Sequence, residues 1–438
     1  MPLPSRFFAA TALAVCFAFN TAHAEAKEKT ADAAEGQLPL DELRTFSLVL
    51  EQIRAAYVEP VSDKTLLENA IRGMLGELDP HSAYLDENDF SDLRNMTSGE
   101  FGGLGIEIGA AEGLIKIVSP IDDTPASRAG IQAGDIIIKI DNHSVQGMSI
   151  NEAVTLMRGD IGTAIKLTVM RINQEQPLEF HLVRETIKTR SVKEKFLEPG
   201  FAYIRVSQFQ VSTTEELQKA LSTLKKQGAI RGLILDLRNN PGGLLSEAVS
   251  VSDTFLDEGL IVYTKGRVPS SNTRFSATGG DALSNAPMIA LVNQGTASAA
   301  EIVAGALQDN RRAKILGSKT FGKGTVQTVI PISAEKAIKL TTALYYTPKG
   351  RSIQAEGIQP DIVDNDNNLS AAQSSALTSE ASLEKHITNA NKRDTKQPAV
   401  STNKKDSQSS AAPNAKKHEA PVDNQLQDAL QLLKKQTQ

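Results

Sequence analysis

Two short, uninterrupted apolar runs constrain this chain most: Gly232–Leu237, reading GLILDL, and Met288–Val292, reading MIALV. Neither alternates apolar with polar residues, so neither suits a strand with one wet face. Both suit strands covered on two sides in a largely parallel sheet. Helical periodicity follows each run, at Leu244–Leu256 and Ala299–Leu307. A third strand, Phe201–Val206, leads into a helix over Thr213–Lys226 with a Ser/Thr cap and an acidic first turn. After Lys314, β-type runs dominate through Tyr346. The order predicts an α/β fold over 190–364, with layers packed around a sheet.

The 438 residues leave room for further domains on either side. From Pro39 to about Phe90 the periodicity is helical, with Leu43, Phe46, Leu50, Ile53 and Tyr57 on one face and Leu66, Leu67, Ala70, Ile71, Met74 and Leu75 on a second. Pro80 breaks the pattern. Residues 38–95 are therefore expected to be a helical segment that packs or dimerises through an apolar face. Residues 96–184 alternate glycine-rich turns with β-runs at Ile115–Val118, Ile136–Ile140 and Ile165–Met170, and carry a short helix over Ile150–Arg158 with Asn151 near its start. Residues 365–420 are rich in Ser, Ala, Asn, Gln and Lys and read as a disordered linker. An amphipathic helix over 421–438, with Leu426, Ala429, Leu430, Leu432 and Leu433, is too short to stand alone and is expected to dock on a partner or another subunit.

The N-terminus has the layout of a secretory signal over 1–24: Arg6, an apolar run from Phe7 to Phe19, then Ala22-His23-Ala24 before the charged stretch from Glu25. Export to the periplasm is expected. The sole cysteine, Cys16, lies inside the apolar run, preceded by Val15 and followed by Phe17-Ala18-Phe19, which favours cleavage after Ala24 over lipid anchoring. Without that segment the chain has no cysteine, which excludes disulfides and thiolate catalysis. A net charge of −5, 5% aromatics and no Trp argue against nucleic-acid binding.

The 190–364 region holds no histidine and no cysteine, so a Ser–His–Asp or Cys–His arrangement cannot be built within it. The usual zinc ligands are missing too, and no metal or cofactor is expected. A histidine brought in from His81, His143 or His181 remains the alternative. Gly317–Lys323 imitates the start of a phosphate-binding loop. Gly324 stands where the metal-binding hydroxyl belongs, however, and Val326, Thr328, Ile330 and Ile332 alternate like a strand rather than opening a helix.

Three segments remain. Asn293–Ile302 follows a buried strand and opens a helix; small residues flank Ser298, and a helix N-terminus favours developing negative charge. Phe321–Gln327 sets Lys323 between two glycines on a turn, with Gln327 placed to orient its amine. Arg238–Gly243 follows the GLILDL strand, at the end where α/β sheets hold their sites. Upstream, Gly102–Ile106, Ser119-Pro120, Ser127–Ile131, Gly134–Ile138 and Ile140–Asn142 together resemble a PDZ domain of the bacterial protease type. Successive N–H groups of such a glycine loop can cradle a terminal carboxylate, and the next strand edge can pair with an extended peptide. The expected carboxylate-binding residues are Leu104, Gly105 and Ile106.

With Tyr346–Gln354 and Gly357–Asp361, these segments resemble the C-terminal processing peptidases, or tail-specific proteases, across about residues 40–364. The resemblance implies a crotonase-like (ClpP/crotonase) catalytic core with an inserted PDZ domain. It implies Ser298 as nucleophile, Lys323 as general base and Gln327 as the residue positioning the lysine. It places an oxyanion hole at the N–H groups of Gly242 or Gly243 and Ala299, with acyl transfer through an acyl-enzyme. Lysine serves as a base only when neutral, so an amine ordinarily protonated below about pH 10.4 must sit where burial penalises its charge. Thr296 departs from the Ser expected in many relatives. Arg158, in the Met157–Thr163 turn, is a candidate for coupling PDZ occupancy to catalysis. The implied partners are protein substrates with apolar C-termini, with a lipoprotein adaptor in some relatives; helical ends suggest homo-oligomers. The competing functions are a non-enzymatic PDZ scaffold and acyl-CoA chemistry on the crotonase-like core.

Overall fold

The computed structural model describes residues 39–111, 114–172, 174, 176–364, 379–392 and 423–437. The expected signal segment, with Cys16, and most of the expected linker lie outside the described residues. The chain divides into a unit ending at Leu67 and a unit running from Glu68. In the first, Leu40–Ala56 is a helix with Asp41 and Glu42 in its first turn and Arg54 in its last, complementing the helix dipole. It buries none of its residues, and Leu43, Phe46, Ile53 and Tyr57 stand exposed along it.

In the second unit, the PDZ-like region forms a sheet in the order Ile106–Ala111, Leu114–Pro120, Ile136–Ile140, Ala164–Met170, Leu178–Val183. Inward-facing Ile115, Ile117, Ile137, Ile140, Leu167 and Val169 build its core. The helix Ile150–Met157 has Asn151 near its start, as expected, and is capped by Ser149: Ser149 and Glu152 bond reciprocally, at 3.3 Å and 2.7 Å. Ile106–Ala111 lies at the sheet's end, paired with Leu114–Pro120 alone among the described residues.

The expected α/β region is centred on a six-stranded sheet in the order Val192–Glu198, Phe201–Val206, Gly232–Asp236, Met288–Val292, Lys314–Gly317, Ile362–Val363. Only the first pair is antiparallel. The two apolar runs divide their side chains between the faces, as strands with two buried sides must. Leu233, Leu235, Ala290 and Val292 meet the helices Thr213–Gln227, Leu245–Asp253 and Ala299–Asp309. Ile234, Ile289 and Leu291 meet the other side. The first of those helices lacks the expected side-chain cap; Ser212 Oγ instead donates to Glu216 Oε1 at 2.9 Å.

The C-terminal helix, Asn424–Gln436, fills the sheet's second face, with Ala429 and Leu433 wholly buried against Ile234, Ile289, Leu291 and Leu316. Its apolar stripe is therefore used within the chain, not kept for another subunit. Asp423, its cap, pairs with Arg238 at 2.7 Å.

A second sheet is built on Ala337–Tyr346, flanked by Leu260–Gly266, Thr325–Pro331 and Ala83–Leu85. The segment expected to be helical through residue 95 is thus broken by a strand. The Asp79 carboxylate accepts from the N–H groups of His81 and Ser82 at 2.8 Å and 3.0 Å, which turns the chain after the helix Asp63–Gly76. Residues 379–392, inside the stretch read as linker, form two short 3₁₀ turns, Glu380–Ser382 and Ala390–Lys392, packed on the core. The linker reading does not hold for them, because their polar side chains find partners there: Asn389 Nδ2 donates to the Gln354 carbonyl at 2.7 Å.

Candidate active site

Ser298 stands between the buried strand Met288–Val292 and the helix it opens, Ala299–Asp309. The turn before it is held by Thr296, whose buried hydroxyl donates to the Leu237 carbonyl at 2.8 Å and accepts from Asn293 N–H at 3.0 Å. A serine hydroxyl could make both bonds, so Thr296 keeps the geometry. Ser298 has φ 54, a left-handed value for a residue with a Cβ. Such a backbone costs about 1–3 kcal/mol and persists only where its surroundings impose it.

Glu301 imposes it. Fully buried, its carboxylate accepts from Ser298 N–H at 2.8 Å and Lys323 N–H at 2.9 Å on Oε2, and from Gly322 N–H at 2.8 Å and Thr320 Oγ1 at 2.5 Å on Oε1. One carboxylate thus ties the Ser298 turn to the Lys323 loop. Burial pushes its carboxyl up to about 7, against the donors that favour the anion. The buried Tyr345 hydroxyl completes the junction: it donates to the Lys323 carbonyl and lies against the Ser298 side chain. Ser-x-x-Glu is the spacing of a reciprocal helix cap, so Glu301 could have been found in the sequence. Tyr345 carried no such signal.

Lys323 is partly buried, and its Nζ makes no ion pair among the described residues. Burial, with a smaller push from Lys339, holds its amine below the usual lysine range, while Glu380, Asp79 and Glu301 oppose that shift. Gln327 lies close by on the strand Thr325–Pro331, but its Nε2 donates to the hydroxyls of Thr325 at 2.8 Å and Thr341 at 3.3 Å. No hydrogen bond joins Gln327 to Lys323 among the described residues, so any orienting bond from the amine falls to Gln327 Oε1.

The loop Arg238–Gly243 faces the serine. A Cβ on Gly242, whose φ is +104, would lie 2.8 Å from Ser298 Cβ and 3.0 Å from Ala299 N, so only glycine lets this backbone come so close. The Gly242 N–H already donates to Asn240 Oδ1 at 2.9 Å, which removes it from the expected oxyanion donors. The N–H groups of Gly243 and Ala299 donate to no group among the described residues. A cavity of about 400 Å³ is lined by Leu245, two residues beyond Gly243, by Val326, next to Gln327, and by Val268, Phe275 and Ala343, with serines and threonines among them. A larger one of about 970 Å³, near Gln308 and Arg312, is lined by none of these site residues.

His81, on the Asp79–Ser82 turn, meets buried Glu380 at 2.9 Å, and Asp79 accepts from Thr341 Oγ1 at 3.0 Å. A histidine does come near the lysine loop, yet its partner is a carboxylate and not the serine.

In the PDZ-like region Gly105 has φ +76, and a Cβ there would strike Thr124 at 2.3 Å. The loop is held by its carbonyls: Leu104 O accepts from Ala126 N–H at 3.0 Å and Gly105 O from Ile121 N–H at 2.8 Å. The Leu104 and Gly105 N–H groups meet no acceptor among the described residues. Ile106 begins the one-sided strand. Arg158 lies over the Phe101 ring and pairs with Asp92 at 3.4 Å, on the helix Glu87–Ser98. That helix meets the peptide 208–211, where Val211 N–H donates to Thr97 O and Phe209 N–H to Gly242 O.

The chain matches the family model for peptidase family S41 over residues 200–364, a PDZ domain over 116–171, and the N-terminal domain of the activating protease CtpB over 7–89. It is 51% identical over 325 residues to the carboxy-terminal-processing protease of Bartonella bacilliformis, covering 74% of this chain and 75% of that one. It is 37% identical over 331 residues to the carboxy-terminal processing protease CtpA of Bacillus subtilis, covering 75% and 70%. Among solved structures, a photosystem II D1 C-terminal processing protease aligns at 31% identity and a TM-score of 0.46, over 78% of this chain and 92% of that one.

Proposed function

The chain belongs to peptidase family S41, among the carboxy-terminal processing proteases with a PDZ domain, and we propose that it is a periplasmic endopeptidase cutting peptide bonds with a Ser298–Lys323 dyad. The observation that carries this reading is the Glu301 clamp, which holds the backbone N–H groups of a strained serine and a partly buried lysine on one oxygen of a single carboxylate.

Neutral Lys323 takes the Ser298 hydroxyl proton as Oγ bonds to the substrate carbonyl carbon. The oxygen of the tetrahedral intermediate gathers negative charge between the N–H groups of Gly243 and Ala299, at a helix N-terminus that favours it. Breakage of the C–N bond returns the lysine's proton to the leaving amine. Water, deprotonated by the Lys323 amine, then adds to the acyl carbon; the C–Oγ bond breaks, and the proton passes from Lys323 to Ser298 Oγ. Gln327 Oε1 orients the amine. The cavity beside Val326 suits an apolar substrate side chain.

The PDZ domain captures an apolar substrate C-terminus, its carboxylate on the Leu104–Ile106 loop and its backbone along the strand Ile106–Ala111. Arg158, through its pairing with Asp92, couples that groove to the helix Glu87–Ser98, which bonds the 208–211 segment lying against Gly242. The catalytic core is crotonase-like. Export rests on the N-terminal signal layout, and an adaptor and homo-oligomers are part of the same reading.

Cleavage of a peptide with an apolar C-terminus, by the wild type and by folded Ser298→Ala and Arg158→Ala proteins, tests it. Loss of turnover in Ser298→Ala and weakened use of PDZ-dependent substrate in Arg158→Ala are expected. Full turnover by Ser298→Ala contradicts the assignment.

A further inference from the structure

The S41 family match ends at residue 364, yet residues 379–392 return to the lysine loop. The contact is Glu380, whose side chain is fully buried. Its backbone N–H donates to the Phe321 carbonyl at 3.1 Å. Its Oε1 accepts from Gln354 Nε2 at 2.8 Å, and Gln354 Oε1 accepts from Gly324 N–H at 2.8 Å. Phe321 and Gly324 bracket Gly322 and Lys323, so Glu380 holds one flank of the lysine directly and the other through Gln354. The strap has anchors of its own: Asn389 Nδ2 donates to the Ser352 carbonyl at 2.9 Å, and Ser352 N–H donates to Asn391 Oδ1 at 2.6 Å.

Holding a strap in place does not require a charge. Burying a carboxylate is costly, and a neutral amide would bond Gln354 as well. Glu380 nonetheless keeps its carboxylate ionised below the usual carboxyl range, through hydrogen bonds from His81 and Gln354 and attraction to His81 and Lys323. The other charged or titratable groups around it and the lysine amine are Asp79 on the turn that carries His81, Glu301 on the Ser298 helix, and Lys339 and Tyr345 on the strand Ala337–Tyr346.

We propose that Glu380 is a positioning residue for Lys323, clamping the loop on both sides of the base and facing it with a fixed negative charge. This rests on Lys323 being the general base. A strap from beyond the peptidase core is then part of the working site, and its seating governs turnover rather than substrate binding.

The test is steady-state cleavage of a quenched peptide with an apolar C-terminus, across pH, by full-length wild type, Glu380→Gln, Glu380→Asp and Lys323→Ala. Glu380→Gln is expected to fold, to leave KM near the wild-type value and to lower kcat about ten- to a hundredfold, the scale of an ångström-level misplacement. Its acid limb in kcat/KM should move to lower pH, because the amine loses a neighbour that favours its protonated form. Glu380→Asp should bring the limb back toward wild type while kcat stays low. Unchanged kcat and limb in Glu380→Gln, or failure of that variant to fold, would overturn the positioning role. If Lys323→Ala is inactive while Glu380→Gln behaves as wild type, the base stands and the positioning role alone fails. Activity in Lys323→Ala removes the base and the inference with it.

Discussion

The Glu301 carboxylate accepts a hydrogen bond from the Lys323 N–H at 2.9 Å, and on the same oxygen one from Ser298 N–H at 2.8 Å. The nucleophile's turn and the base's loop therefore move together or not at all. Both carboxyl oxygens can accept even when one carries a proton, whereas an amide offers one acceptor oxygen and a nitrogen that only donates.

Replacing Glu301 by Gln would point an amide donor at backbone donors. A loss of about 1–3 kcal/mol in stability is expected at acidic pH, the cost of leaving buried groups unsatisfied, together with a fall in kcat. The pH dependence has a definite sign. Burial lifts the folded carboxyl to about 7 from an ordinary value of 4.5. A group raised on folding stabilises fully below its unfolded value and loses that contribution as pH rises through its folded one. The wild-type advantage over Glu301→Gln should therefore shrink between pH 4.5 and 7, as read by urea melts across that range.

The positive φ of Ser298 makes a second prediction. Both Ser298→Gly and Ser298→Ala lose the nucleophile, but glycine adopts φ 54 without a Cβ penalty. Ser298→Gly should be more stable than Ser298→Ala by about 1 kcal/mol, measured by denaturant midpoints.

Leu433 is wholly buried on the second face of the sheet. Leu433→Ala should cost about 2–5 kcal/mol. The helix cap Asp423 is bound to Arg238, at the root of the Asn239–Gly243 loop, so turnover should fall as well. Thermal melts and kcat on the same preparation check both.

Much of the fold was legible because the signals were local. Phe201–Val206, Ile136–Ile140 and Met288–Val292 are strands with the bounds their apolar runs suggested. Ser298, Lys323 and the Gly242–Gly243 turn were singled out through small residues near strand ends together with the family resemblance. What escaped was long-range. Ala83–Leu85 looked like the end of a helical segment because its partner, Ala337–Tyr346, lies far along the chain. Glu380 sits in a polar, low-complexity stretch whose order comes from contacts with Phe321 and Gln354 rather than from any periodicity of its own. The C-terminal helix showed its apolar stripe plainly, but no sequence pattern said that the chain's own sheet would cover it.

The direct test of the central claim is pre-steady-state acylation of Ser298, followed as a burst of first product in wild type and in folded Lys323→Ala. With a neutral amine drawing the proton from the serine, the burst rate should fall about 10²–10⁴-fold without Lys323, and in wild type it should climb with pH as the amine is freed. A burst of wild-type rate in Lys323→Ala, with the same pH profile, would contradict the claim.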